Sequence, residues 1–218
     1  MGWKADTVLI RPAGPGEGAE ALLRDLGFTP LTPLGEHRYE QAIWPDEHTV
    51  WVGSAGDCLM ISARGLSDAF FEPKPAPLAQ ALFRRFPRAE IAAVTLHSVV
   101  NLWGFALFSD GNALRRKAGS ADDGTFEDTG DPLPEERELL AKSTLNAKGQ
   151  RVYRLPEFPD EDMTEDQVGE EYVFKIFERL AGERPDIGPS LLDTRCAGFR
   201  FSSIAAGTSA APWWKFWR

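Results

Sequence analysis

The stretch Ile91-Ala92-Ala93-Val94-Thr95-Leu96-His97-Ser98-Val99-Val100-Asn101-Leu102-Trp103-Gly104-Phe105-Ala106-Leu107-Phe108 carries no charge over its whole length. It is long enough for a membrane-spanning helix. Its middle, however, reads Thr95-Leu96-His97-Ser98 with Asn101 following, so a spanning helix would set several polar groups near the bilayer centre, where they are costly. Enrichment in Val, Ile, Phe and Trp, and the turn sequence Ser109-Asp110-Gly111-Asn112 directly after it, fit two buried strands. The fold follows from that choice.

Upstream, Thr7-Val8-Leu9-Ile10 is a short apolar run, and Ala19, Leu22, Leu23 and Leu26 recur at helical spacing before Gly27, which suits a helix stop. Pro30, Pro33 and Pro45 restrict any strand within residues 28 to 48 to an edge, or interrupt it. Thr49-Val50-Trp51-Val52 and Cys58-Leu59-Met60-Ile61 flank Ser54-Ala55-Gly56-Asp57, a hairpin signal. Pro73, Pro75 and Pro77 lead into a helix with Leu78, Leu82, Phe83 and Phe86 on one face, and Ile91 to Leu96 is the next strand. The first 97 residues therefore read strand-helix-strand-strand-helix-strand, the order of a ferredoxin-like α+β unit.

Downstream, strands at 101–108 and 113–118 around Asp110-Gly111, and a third after Asp122-Asp123-Gly124, form an antiparallel meander. Residues 132 to 141 suit a short helix, with Pro134 in its first turn and Glu135, Glu136 and Glu138 near its positive end. A second helix is predicted over 166–181, with Val173, Ile176, Phe177 and Leu180 buried, and a last strand over 197–201. The fold class is α+β: a single domain over 1–203, then a tail over 204–218 that ends Trp213-Trp214-Lys215-Phe216-Trp217-Arg218.

A chain of 218 residues with 43% hydrophobic residues can build a core, and a net charge of -9 argues against nucleic acid as a partner. The charge is not evenly spread. Residues 121 to 171 hold 16 acids against 5 bases, so the rest of the chain is close to balanced. Two cysteines, Cys58 and Cys196, do not make a disulfide framework and suit a reducing cytoplasm, although spacing alone leaves a bridge between them open. The start, Met1 to Asp6, has no signal-type apolar stretch, and Asp6 breaks the myristoylation pattern.

Candidate chemistry is sparse. Gly14-Pro15-Gly16-Glu17-Gly18-Ala19 formally matches a dinucleotide fingerprint, but Pro15 removes a backbone donor and Glu17 would stand beside a pyrophosphate, so a plain turn and no cofactor are expected. Asp122, Asp123 and Glu127 are the candidate metal ligands of an acidic turn that also holds Asp128 and Asp131; their spacing is not that of an EF-hand, and a solvated turn with no metal is the expectation. His97, the one histidine in a strong apolar segment, and Asp110 are the candidate catalytic residues. Ser98 beside His97 in an extended strand points to the opposite face, so the two make no ready dyad. Arg84, Arg85 and Arg88, and Arg115, Arg116 and Lys117, read as a solvated helix end and a polar strand face. The tail is different: three Trp and a Phe interleaved with Lys215 and Arg218 suit a partner's groove, a membrane interface or docking back on the domain's own surface.

Residues 97 to 138, from His97-Ser98-Val99-Val100 through Phe105-Ala106-Leu107-Phe108, Ala121-Asp122-Asp123-Gly124 and Gly130-Asp131-Pro132-Leu133-Pro134-Glu135-Glu136, resemble stretches in uncharacterised bacterial proteins of a family of unknown function. The closing Trp-Trp-Lys-Phe-Trp is similar to tails on assorted bacterial proteins. The resemblance implies a bacterial, cytoplasmic protein and transfers no catalytic residue. The leading expectation is a non-enzymatic adaptor or immunity-like protein that binds a protein partner through the acidic segment and the tail residues Trp213, Trp214, Lys215, Phe216, Trp217 and Arg218. The alternatives are an enzyme with a site around His97 and the acidic turn 122–131, and a peripheral protein that meets a membrane surface through the tail.

Overall fold

The uncharged run folds as two adjacent antiparallel strands, with Ile91 opposite Phe108 and His97 opposite Leu102. The computed structural model describes residues 2–14, 18–156 and 158–205. Within them the elements run β1 (Lys4–Arg11), α1 (Ala19–Asp25), β2 (Phe28–Thr29), β3 (Thr32–Arg38), α2 (Tyr39–Ala42), β4 (Thr49–Ala55), β5 (Cys58–Ala63), α3 (Asp68–Phe71), α4 (Pro77–Arg85) and β6 (Glu90–His97). A 3₁₀ turn over Ser98–Val100 leads to β7 (Leu102–Ser109), β8 (Asn112–Ser120), β9 (Gly124–Thr129), α5 (Pro134–Ala141), β10 (Ser143–Leu145), β11 (Arg151–Tyr153), β12 (Met163–Thr164), α6 (Glu165–Ala181), α7 (Pro189–Asp193), β13 (Arg195–Arg200) and β14 (Ser203–Ile204).

Nine strands make one antiparallel sheet in the order β3-β13-β4-β5-β1-β6-β7-β8-β9. At its centre, β4-β5-β1-β6 is the ferredoxin-like arrangement: β5 lies between β1 and β4, which run parallel to each other, and α1 and α4 cover one face. β7, β8 and β9 extend one side as the expected meander. Asp110 and Gly111, both at positive φ, form a two-residue turn between Ser109 and Asn112. The proline-marked segment supplies β3 as the outermost strand of the other side, separated from β4 by β13.

Two apolar layers sandwich the sheet. On one face Val8, Ile10, Ile91 and Ala93 meet Leu22, Leu23 and Leu26 of the α1 region and Leu78 and Leu82 of α4. On the other, Leu9, Met60, Val94 and Phe105 meet α6 through Tyr172, Val173, Ile176, Phe177 and Leu180, the predicted stripe and its neighbours. Thr164 N–H donates to Gln167 Oε1 at 2.8 Å at the start of α6, and Gly182 at φ +81° ends it. Cys58 and Cys196 are both buried and free, so the bridge that spacing left open is not formed. No helix among the described residues is long and apolar enough to cross a membrane.

Candidate functional site

The β6-to-β7 and β8-to-β9 connections leave the sheet at the same end, because His97 pairs with Leu102 and Ser120 with Gly124. α6 begins at that end. Asn101 Nδ2 donates to Asp166 at 3.0 Å, Ser98 Oγ donates to the Glu170 carboxylate, and Thr125 Oγ1 donates to Glu165. The first two bonds seat the 3₁₀ turn against the first turns of α6, the third ties β9 to its start, and Ser98 Oγ also accepts from Trp3 N–H at 2.8 Å. Two valines on this fixed turn face solvent, Val99 at 74% and Val100 at 51% exposure. Beside them a cavity of about 480 Å³ is lined by Asp122, Asp123, Thr125, Arg151, Glu165 and Asp166, among others. Asp166 joins the two features, since it lines the cavity and holds the residue after Val100.

Beneath the cavity wall lies a buried ionic cluster. Lys117 Nζ is 2.6 Å from Glu165 and sits 4.3 Å from the centre of the Tyr172 ring. Tyr153 donates to Glu165 at 2.6 Å, and the Tyr153 and Tyr172 hydroxyls are 2.8 Å apart. Glu136 takes both Nε and Nη2 of Arg115 at 2.9 Å and caps its own helix by accepting from Leu133 N–H at 2.8 Å. Arg115, Lys117 and Glu136 are each buried. Burial alone would raise the Glu165 pKa, but Lys117, Thr125 and Tyr153 hold its carboxyl below the ordinary range. Burial, with Glu165 and Tyr172 beside it, pushes the Tyr153 phenol up.

This cluster corrects the reading of Arg115 and Lys117 as a polar strand face. Both point with Phe105 and Leu107, their cross-strand neighbours, into the layer under α6. It also divides the acidic segment. Glu136 and Glu165 turn inward, Glu135 pairs with Arg179, and Glu171 with Arg184, while Asp122 and Asp123 remain on the exposed turn.

The structure separates the candidate catalytic residues. His97 and Asp110 stand at opposite ends of the β6–β7 ladder, roughly 25 Å apart at the usual strand rise. His97 is half-buried against Trp44, ring centroids 5.4 Å apart, and its Nδ1 is buried with no partner among the described residues. Burial, then Lys4 and Arg64 nearby, lowers its pKa. Ser98, engaged with Trp3 and Glu170, is not turned toward it. Among the described residues, no group of three or more His, Cys, Asp or Glu is placed to hold a metal ion; Asp122 and Asp123 line the cavity, and Glu127 is bonded to Thr129 on β9. Pro15, Gly16 and Glu17 of the glycine-rich loop lie outside the described residues, as do Trp213, Trp214, Lys215, Phe216, Trp217 and Arg218. Gly14 lines a second cavity, of about 430 Å³, at the opposite end of the sheet.

Residues 7–168 fit the model of DUF6928, a family of unknown function. The chain belongs to that family. No curated protein and no solved structure matches it. The DUF6928 span runs from β1 into the first turn of α6, so it includes the 3₁₀ turn, the cavity lining, Lys117, Glu136 and Glu165. It also contains residues 97 to 138, the stretch that resembles a family of unknown function. The DUF6928 match stops before Tyr172 and most of α6, the helix that seals the ionic cluster.

The same end of the sheet carries two carboxyls in an unfavourable setting. Asp6 accepts from Gly65 N–H at 2.6 Å and Ser67 N–H at 3.0 Å, yet burial pushes it up to about 6. Asp68, raised by burial and then by Asp6 and Glu72, reaches about 8. The folded state therefore holds more protons than the unfolded chain above the ordinary carboxylate range, so stability falls as pH rises toward about 8 and levels beyond it. Asp68→Asn is expected to flatten the upper part of that fall. Melting temperatures across pH 5 to 9 check this, and parallel curves for the two proteins between pH 6 and 8 would count against it.

Proposed function

We propose that this chain is a non-enzymatic binding protein whose contact surface is the end of the sheet formed by the Val99–Val100 turn and the adjacent acidic cavity. Its partner is a protein segment that offers apolar and basic side chains together. The observation that carries this reading is the exposure of Val99 and Val100 on a turn fixed by three hydrogen bonds and flanked by Asp166 and Glu170. Exposed apolar side chains on a rigid support, with a charged rim, are the ordinary make-up of an interface: burial supplies affinity and the carboxylates supply orientation and rate of encounter. The buried Lys117–Glu165 pair holds one wall of the cavity in place, so the carboxylates present a preformed arrangement.

The test is binding of synthetic peptides to the whole protein by calorimetry, with basic-apolar sequences set against acidic-apolar and basic-polar controls. The double substitution Val99→Asp, Val100→Asp lies on exposed side chains, so folding is retained. It is expected to weaken the basic-apolar peptides by about tenfold or more, in line with truncating the centre of an interface. Equal binding by all three peptide classes, or no effect of the double substitution, would sink the reading.

A further inference from the structure

Resting on that reading, we infer that the segment seated on this surface is the chain's own Trp213-Trp214-Lys215-Phe216-Trp217-Arg218, contributed in cis. Three observations carry it. First, the chemistry matches on both sides. The segment alternates aromatic side chains with Lys215 and Arg218, and the surface places exposed Val99 and Val100 beside a cavity lined by Asp122, Asp123 and Asp166, with Arg151 and the Lys117-paired Glu165 on its wall. Second, the chain leaves the sheet at the correct end. Phe201 N–H donates to His48 O at 2.9 Å, next to Thr49 at the start of β4, and Ala205 N–H donates to Gly27 O at 2.8 Å just beyond α1. The pairings Val50–Ala63, Thr7–Ser62 and Lys4–His97 put that exit at the same end as the 3₁₀ turn.

Third, the span is within reach. From β13 to β6 is four strand spacings and to β8 six, roughly 20 to 30 Å along the end of the sheet, with the start of the tether at Ala205 on the α1 side and α6 on the other. The ten residues from Ala206 to Lys215 extend to roughly 33 Å. A segment held on so short a tether is present at an effective concentration of about millimolar, so even a weak site is largely filled. The surface proposed for partners is then one that a partner must win from the tail. The exposed valines and the six-residue aromatic-cationic end cover each other.

The test uses the full chain. Carbodiimide, which joins a lysine amine directly to a neighbouring carboxylate, is applied to a dilute equal mixture of natural-abundance and ¹⁵N-labelled protein, and the joined peptides are identified by mass spectrometry. Lys215 is expected to couple to Asp122, Asp123 or Asp166 within one isotopic species, and to lose that preference in Val99→Asp, Val100→Asp. Coupling spread evenly over other carboxylates overturns the inference, as does a majority of mixed-isotope products, which would place the tail on a second copy. In parallel, a labelled peptide of residues 206–218 is titrated into the wild type and into Lys215→Glu, Arg218→Glu. Freed of its own tail, the variant is expected to bind the peptide about fivefold more tightly. Equal tight binding to both proteins overturns the cis occupant and leaves the binding surface standing. Absence of binding to either overturns both.

Discussion

Glu136→Gln is expected to lower the unfolding free energy by about 3–5 kcal/mol, the usual consequence of removing one partner from a buried ion pair. Glu136 is 2% exposed and holds the Arg115 guanidinium by two parallel hydrogen bonds of 2.9 Å. Without its charge, Arg115 keeps Asp128 at 2.5 Å and the carbonyls of Thr129 and Gly130, while Lys117, 4.0 Å away, loses its second carboxylate. Two cations then share a buried site with less compensation, and the amide N–H₂ that replaces one carboxylate oxygen faces the Arg115 N–H donors, while the remaining oxygen still caps Leu133 N–H. The cost is a large fraction of the roughly 5–15 kcal/mol that holds a typical domain together. Urea unfolding followed by circular dichroism measures it. Glu138→Gln on the exposed side of the same helix serves as the control and is expected to leave the midpoint in place, since the Lys142 and Lys175 pairs it removes are made by a solvated carboxylate. A Glu136→Gln midpoint equal to that of the control would mean the cluster carries no net stability.

The pair of acids and bases in that cluster explains why the fold was more readable than the site. Local rules were enough for β4–β5, for the Asp110-Gly111 turn and for the α6 stripe, because each is decided by neighbours in sequence: a turn that tolerates positive φ, or apolar side chains spaced for one helix face. The edge position of β3 was legible from its prolines for the same reason. The insertion of β13 between β3 and β4 was not, because nothing within residues 195 to 200 records a partner more than 140 positions away. Arg115 and Lys117 show the same limit. Their spacing of two puts them on one face of β8, but only the pairing of Lys117 with Phe105 and Arg115 with Leu107 shows that the face is the inner one. The acids that neutralise them come from α5 and α6, 19 and 48 residues further on for Glu136 and Glu165 against Lys117. A count of charges over residues 121 to 171 cannot separate these inward acids from Asp122 and Asp123. The exposed valines were hidden differently: in sequence they continue an apolar run that is buried on both sides of them, and only the 3₁₀ turn carries them out of the sheet.

Gly169→Ala is the second large effect, and its sign decides between two physical arguments. Taken as a helix residue alone, Gly169 costs α6 up to about 1 kcal/mol relative to Ala, so the substitution would stabilise an isolated helix. The packing says the opposite. A Cβ at Gly169 would overlap the five-membered part of the Trp103 ring, the largest fully buried side chain of the described residues. The ring has no room to withdraw. Its far edge lies against Gly119, where a Cβ would come within 3.0 Å of Cζ2, and Tyr172 stacks on it with centroids 5.6 Å apart. Trp103 is therefore held between a glycine of the helix and a glycine of β8, and a methyl group can be accommodated only by lifting α6 from the sheet. That displacement would strain the Ser98–Glu170 and Asn101–Asp166 bonds that seat the 3₁₀ turn. A net loss of about 2 kcal/mol or more is expected after the propensity gain is subtracted. For a chain of this size it appears as a fall in melting temperature of roughly 4–8 °C in calorimetry. A rise in melting temperature would show that helix propensity outweighs the contact and that α6 sits less closely on Trp103 than the structure places it.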